Sequence, residues 1–316
     1  MISGIDFVIF WVDGEDPLHK NKRRAYERGF KLEDISNNEQ SIDDRRFCQH
    51  DELKYCLRSI KTHASWYRNI YIITDNQFPS FLSLDSIQLD RIKIIDHKEL
   101  FADCPQYLPT FNSRALAAQV HKLADLSDYF ILGNDDLMLG ADVSPQYFFQ
   151  EGKPNLFVDE FSCNDQDKLT LHHIGILNAA KMLGFGKDKF YIPSHGFIPL
   201  VKSTLNKLDS LFFREFSNNR LYKFRHESQF LVESLFHHYC LKFNLGHEKS
   251  TQSMVHFSFQ LCREGLPQKI LFLFDLIEKG DRKQFCLNEI QSLIPRVPEV
   301  NNYLSRICGP PLKSEF

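Results

Sequence analysis

The sequence has no apolar run long enough to cross a bilayer, no paired C-x-x-C cysteines, and no excess of one charge sign. A spanning helix needs about 20 consecutive apolar residues, and none is present. The first residues, Met1-Ile-Ser-Gly-Ile-Asp6, have no basic segment and are interrupted by Asp6, so they do not read as a secretory signal. The eight cysteines (Cys48, Cys56, Cys104, Cys163, Cys240, Cys262, Cys286 and Cys308) are scattered. That argues against a zinc ribbon and fits reduced thiols, so a cytoplasmic location is expected. The formal net charge of −3 gives no footprint for nucleic acid. Neither G-x-G-x-x-G nor G-x-x-x-x-G-K-[ST] occurs, which removes the dinucleotide fingerprint and the P-loop. There is no internal repeat and no low-complexity linker.

What remains is an ordinary globular composition. The chain has 316 residues, 43% apolar and 25% charged, enough for one large α/β domain with additions or for two domains. Phenylalanine is abundant, at 29, and is assigned to the core. The most informative stretch is Tyr129-Phe-Ile-Leu-Gly-Asn-Asp-Asp-Leu-Met-Leu-Gly140. Its first apolar run does not alternate and is bounded by turn residues, so it predicts a fully buried strand. That strand ends at Asp135-Asp136. Two adjacent carboxylates are costly to bury unpaired, and a divalent cation held by oxygens, Mg²⁺ or Mn²⁺, would make them tolerable. The same three residues, Asn134-Asp135-Asp136, also suit a plain Asp-rich turn.

Other segments repeat the pattern. Ile5 to Val12, Asn69 to Thr74 and Arg91 to Ile95 are strand candidates ending at Asp13, at Asp75-Asn76 and at Asp96. Asp51 to His63 predicts a helix, with Leu53, Leu57 and Ile60 on one face and Lys54, Arg58 and Lys61 on another. Phe111 to Asp128 predicts a second helix, with Asn112 or Ser113 as N-cap. Strands alternating with helices imply a mostly parallel sheet flanked by helices, with strand C-terminal ends on one edge where ligands bind. Leu18 to Ser41, polar and basic, reads as a cover over a site or as a surface loop.

The second half is less regular. Asn155 to Val158 predicts a strand. Tyr191 to Pro199 reads as a proline-bounded loop holding His195, Leu200 to Phe213 as a helix, and Arg225-His226-Glu227 as the start of another helix through Phe243. From His256 on the pattern is helical, including Lys269 to Lys279 and Gln284 to Leu293. A soft boundary is therefore expected between a catalytic α/β part over 1–255 and a helical C-terminal extension over 256–316. The pairs His172-His173 and His237-His238 are not expected to act as joint ligands, since adjacent side chains point to different sides.

Taken together, these motifs resemble the Stealth family of hexose-1-phosphoryltransferases, which includes capsular polysaccharide phosphotransferases. Four blocks carry the resemblance. The first is Ile5 to Pro17. The second is Arg46-Phe47 with Asp51 to Gln77. The third is Phe111-Asn112-Ser113-Arg114 through His121 to Asn134-Asp135-Asp136. The fourth is Pro193-Ser194-His195 through Arg225-His226-Glu227. The family usually has Asp-Asn where this chain has Gln49-His50, and Gln49 is the poorer cation ligand.

The resemblance implies transfer of a sugar-1-phosphate from a nucleotide sugar, first choice a UDP-sugar, to a hydroxyl of an acceptor glycan. A nucleoside monophosphate leaves, in capsular or exopolysaccharide synthesis. It assigns Asp135 and Asp136 to Mg²⁺ or Mn²⁺, and Asp13 to the nucleotide or metal region. Arg114 and Arg225 would clamp phosphate, with Arg58 and Lys54 as weaker candidates. His195 would be the general base, and Glu52, Asp75 and Asn76 would shape the donor pocket. The bacterial resemblance also implies capsule-assembly partners at the inner membrane face. Two other readings stay open: a metal-dependent glycosyltransferase that releases the nucleoside diphosphate, and an inactive sugar-binding homologue.

Overall fold

A computed structural model describes residues 4–29, 47, 50–164 and 168–316. In chain order the first half comprises β1 (Asp6–Phe10), α1 (Pro17–Gly29), α2 (Glu52–His63), β2 (Ile70–Thr74), β3 (Ile92–Asp96), α3 (His97–Leu100), α4 (Ser113–Ala117), β4 (Tyr129–Asn134) and β5 (Leu137–Leu139). It continues with α5 (Pro145–Phe148), β6 (Phe149–Gln150), β7 (Lys153–Phe161), α6 (Leu171–Met182), β8 (Phe190–Pro193), β9 (Ile198–Val201), α7 (Lys202–Leu211), α8 (Phe213–Leu221) and α9 (Val232–Lys242). The last part holds β10 (His247–Lys249), β11 (Met254–Phe257), α10 (Phe259–Glu264), α11 (Pro267–Glu278), β12 (Gln284–Leu287), α12 (Ile290–Leu293) and α13 (Val300–Cys308).

The main sheet has the order β3-β2-β1-β4-β9. Its first four strands are parallel and β9 runs antiparallel to β4. This is the expected mostly parallel α/β sheet. Continuous apolar runs such as Phe7-Val-Ile-Phe10 form its centre because both faces are covered, leaving no polar face to alternate with. Val8 and Phe10 pack on one side with Leu116, Val120 and Leu205. Phe7 and Ile9 pack on the other with Leu53, Leu57, Ile60 and Phe197. The chain leaves β1 toward β2 and β3 and later returns to its other side as β4. The order therefore reverses between β1 and β4, the place where open α/β sheets form a crevice. Phe10 lies opposite Asn134 in register, so the residues following both strands emerge side by side.

A second sheet, β11-β12-β5, begins directly after Asp135-Asp136, and a third contains β10, β7 and β6, with β8 paired to β7. The 255/256 position falls inside β11. Through β12 the C-terminal part shares a sheet with β5, whose Met138 packs in one cluster with Phe257, Phe274 and Phe285.

Five local expectations need correcting. The helix predicted over Phe111–Asp128 starts at Ser113, with the Asn112 side chain accepting from Arg114 N at 3.1 Å, but ends at Ala117, and a 3₁₀ turn covers Val120–Lys122. Tertiary bonds replace the later helical turns: Gln119 donates to Leu100 O, and His121 pairs with Asp209. The helix predicted from Arg225 starts at Val232. Segment 225–231 is held instead by side chains, with Gln229 Oε1 accepting from His226 N and Asn178 donating to the carbonyls of Glu227 and Gln229. Gln284–Leu287 is a strand rather than part of a helix, because β5 and β11 flank it. Tyr191–Pro199 is two strand segments around a four-residue turn, Ser194 to Phe197, and the helix predicted from Leu200 begins at Lys202.

Candidate active site

The C-terminal edge of the main sheet gathers the expected acids. Asp13 follows β1, with its backbone N–H donating to Gln77 Oε1 at 2.9 Å and its side chain accepting from Glu15 N at 2.9 Å. Asp75 follows β2 and is gripped by α1: His19 Nδ1 lies 2.9 Å from Oδ2, and Lys22 Nζ lies 2.6 and 2.7 Å from the two oxygens. Burial pushes the Asp75 carboxyl up, but the bonds from His19 and Lys22 outweigh it and hold the carboxyl well below its usual range. Asn76 is exposed in the left-handed region (φ 55°), and its N–H donates to Asp96.

Several buried polar atoms near this edge have no partner among the described residues: Trp11 Nε1, His19 Nε2, Thr74 Oγ1, both ring nitrogens of His97, and Thr110 Oγ1. Buried polar groups are rarely left unpaired, so a run of them on one edge is a feature to explain.

Asp135 and Asp136 form the turn between β4 and β5, and both are half-buried. Asp136 Oδ2 accepts from Asn288 Nδ2 at 2.7 Å and from Cys286 Sγ at 3.5 Å. Its Oδ1 is buried without a partner among the described residues. Burial pushes the Asp136 carboxyl up, against the bonds from Asn288 and Cys286. Glu52, on the first turn of α2, is buried and accepts from His50 N. Burial, with the Asp136 charge adding to it, pushes the Glu52 carboxyl up to about 7. Three-residue His, Cys, Asp or Glu groups placed to hold a metal are absent among the described residues. Mg²⁺ does not need one, since it is commonly held by one or two carboxylates plus substrate phosphates and water. The orphaned Asp136 Oδ1 beside Asp135 fits that donor set.

His195 is reached from the other side. The turn carrying it is fixed by Phe197, whose N–H donates to Gln284 Oε1 at 2.7 Å, and whose ring lies against Gly133 of β4. The His195 ring stacks on His172 (5.2 Å, 27°) and meets His256 at 4.2 Å, tilted by 32°. The surrounding protein, with His256 and His173, pushes the His195 imidazole down to about 4, so the ring is neutral at pH 7 while one side stays open to solvent. His172 is pushed far down by burial and by the nearby charges of His195, Arg225 and Arg114.

Arg114 is buried on α4. It donates to Leu171 O at 2.7 Å and His226 O at 3.1 Å, and its guanidinium lies against Gly175 of α6, where a Cβ would come within 3.0 Å. Arg225 donates to Ser113 Oγ at 2.9 Å. The charges of both arginines act on Glu233, in the first turn of α9, although burial still leaves that carboxyl raised.

The structure thus brings Asp135, Asp136 and Glu52 together, and Arg114, Arg225 and His195 around His172. Asp13, Asp75 and Asn76 follow β1 and β2 on the same sheet edge. Arg58 is not placed among them: Glu315 engages its guanidinium, with Arg58 Nε 2.7 Å from Oε1. Lys54 lies 3.5 Å from Asp51. Arg46 and Gln49 lie outside the described residues. His237 and His238 are buried in α9, and His238 Nε2 accepts from Tyr191 N, so they do not form a metal pair. Four neighbours of these residues were not assigned to the site from the sequence: His172, Glu233, His256 and Asn288. Only His256 had a local signal, since it faces out between buried Val255 and Phe257.

Fold and site together define an α/β protein with acidic residues at the carboxyl edge of a parallel sheet and a histidine–arginine cluster joined to them through His256 and Asn288. The family model for Stealth protein CR2, conserved region 2, matches residues 46–156. A capsular polysaccharide phosphotransferase of Haemophilus influenzae is 30% identical over 302 residues, covering 91% of this chain and 79% of that protein. An exopolysaccharide phosphotransferase of Streptomyces coelicolor is 31% identical over 295 residues, covering 91% of this chain and 47% of that protein. The chain belongs to the Stealth family. It spans about half the length of the Streptomyces relatives it matches, 47% in each of two cases. A galactosyltransferase solved with donor and acceptor sugar analogues aligns over 97% of this chain and 98% of its own at 8% identity, but its TM-score of 0.45 is too low to carry an argument. Among the described residues no helix is long and apolar enough to cross a membrane.

Proposed function

We infer that the chain transfers a sugar-1-phosphate from a nucleotide sugar to a glycan hydroxyl, forming a phosphodiester and releasing a nucleoside monophosphate. The observation carrying this reading is membership of a family whose relatives are named capsular and exopolysaccharide phosphotransferases, over 91% of the chain. The site chemistry supports it. Breaking a bond between two phosphates needs the diphosphate charge neutralised, the acceptor hydroxyl deprotonated and the reacting atoms aligned.

Asp135 and Asp136 would hold the Mg²⁺ or Mn²⁺, which when bound neutralises charge on the diphosphate. Asp13, Asp75 and Asn76, with the unpaired Trp11 Nε1, His19 Nε2 and Thr74 Oγ1, suit the ribose, base and sugar hydroxyls of the donor. Arg225 and Arg114 supply fixed positive charge, Arg114 also tying α6 to segment 225–231. His195, neutral at pH 7, takes the proton of the acceptor hydroxyl. Phosphate charges brought beside it favour its protonated form and raise it toward working pH, where a base is most effective.

The test is the identity of the nucleotide set free. The full chain is incubated with UDP-, GDP- and CDP-activated sugars, Mg²⁺ and oligosaccharide acceptors, and the released nucleotide is separated by chromatography. Chelator-sensitive monophosphate is expected. Diphosphate would assign sugar transfer alone, and binding without release would leave a sugar-binding homologue.

A further inference from the structure

No hydrogen bond from either ring nitrogen of His195 is found among the described residues, although the ring is the proposed base. Its orientation rests on its neighbours. One, His256, comes from β11, a strand of the second sheet, and its ring is 4.2 Å away at 32°. His256 Nε2 is 2.6 Å from Asn288 Oδ1, and Asn288 Nδ2 donates to Asp136 Oδ2 at 2.7 Å. The direction of this chain follows from donor chemistry. An ionised carboxylate only accepts, so the amide must turn its NH₂ to Asp136 and its oxygen to His256. His256 must then carry its proton on Nε2. The tautomer and plane of His256 are thereby fixed from the Asp135-Asp136 turn, and a fixed His256 ring is the wall against which His195 stacks.

We propose that His256 and Asn288 are positioning residues, which hold the ring of His195 at a set distance and angle from the acidic turn. This deepens the sugar-1-phosphate reading and rests on it for the role of His195. The arrangement joins three separate parts of the chain: the β4–β5 turn, the β8–β9 turn and the β11–β12 pair. It gives the C-terminal part a function at the site, because it sets the relative placement of metal-side carboxylate and base. Stacking leaves both ring nitrogens of His195 open to substrate, which a hydrogen-bonded orienting partner would not.

The experiment uses the full chain labelled with ¹⁵N-histidine, with the His195 ring signals assigned by their loss in His195→Gln. His256 is exposed, so its replacement leaves the core intact. In wild type one sharp set of His195 signals is expected. In His256→Ala the set broadens or doubles, and in Asn288→Ala, which frees the His256 ring from the acidic turn, it broadens in the same way. In parallel, kcat for nucleotide release falls on the order of 10- to 100-fold in His256→Ala, the cost of about 1 Å of misplacement, with donor KM little changed. Unchanged His195 signals in His256→Ala would overturn the proposal. So would a folded Asn288→Ala variant whose His195 signals stay as sharp as in wild type, since the bond from Asn288 would then not hold the His256 ring. Absence of monophosphate release by the wild type would count against the functional reading alone and leave the ring signals as an independent readout.

Discussion

Replacing Gly133 by alanine probes the link between the central sheet and the His195 turn. A Cβ at Gly133 would lie 2.7 Å from two ring carbons of Phe197 and 3.4 Å from Ile9 Cδ1. Carbon atoms pack at about 3.5–4.0 Å, so the Phe197 ring must retreat by roughly 1 Å. It has little room, being 1% exposed and tied through its N–H to Gln284. Overpacking of this kind costs about 1–3 kcal/mol. Against it stands about 0.4–1 kcal/mol gained because alanine restricts the unfolded chain. The net loss is centred near ~1–2 kcal/mol, or a fall in Tm of roughly 2–4 °C for a chain of this size. Activity should fall more than stability, because Phe197 sits two residues from His195. Adding Phe197→Leu makes room, so the double variant should recover turnover relative to Gly133→Ala, a non-additive result expected only for residues in contact. Thermal unfolding and nucleotide release on the four proteins check this. Equal Tm and turnover in Gly133→Ala and wild type, or simple additivity of the two substitutions, would refute the reasoning.

Asp209 accepts from His121, Lys122 and the buried Arg220, so Asp209→Ala should cost about 3–5 kcal/mol by leaving a buried guanidinium without its counter-ion, as read by denaturant unfolding. Burial pushes the Asp209 carboxyl up, but His121, Arg220 and Lys122 outweigh it, and Asp75 behaves likewise, so both folded pKa values are depressed. Their stabilisation is complete above the unfolded carboxylate value of about 3.9 and is lost as pH falls through the folded values. Stability measured from pH 6 to pH 2 should therefore drop in acid, less steeply in Asp209→Asn. Glu233→Gln removes a buried carboxyl on which the charges of Arg114 and Arg225 act. It should lower kcat/KM about tenfold, equivalent to ~1.4 kcal/mol, with Tm little affected. Chelation should abolish turnover in wild type, and Asp136→Asn should weaken its recovery by added Mg²⁺.

The parallel sheet was legible because burial on both faces leaves uninterrupted apolar runs, and each run stops at a recognisable polar residue: Asp13, Asp75, Asp96 or Asp135. The Asn112 cap was legible for the same local reason. What could not be read were elements set by distant partners. Gln284–Leu287 becomes a strand because β5 and β11 flank it. Segment 225–231 avoids a helix because Asn178 and Gln229 take its backbone groups. The acids at the sheet edge therefore showed in the sequence. The contacts of Glu233, His256 and Asn288 did not, since each reaches across the fold. Arg58 looked available because its partner, Glu315, lies 257 residues away.

The central claim is that the phosphate next to the sugar travels with it. The most direct measurement supplies a nucleotide sugar labelled with ³²P at that phosphate, from the donor class that the wild type turns over, together with an oligosaccharide acceptor. Label recovered in the glycan, resistant to phosphatase as a diester and dependent on Mg²⁺ and on His195, is the predicted result. Label remaining in a released nucleoside diphosphate, with unlabelled sugar added to the glycan, would contradict it.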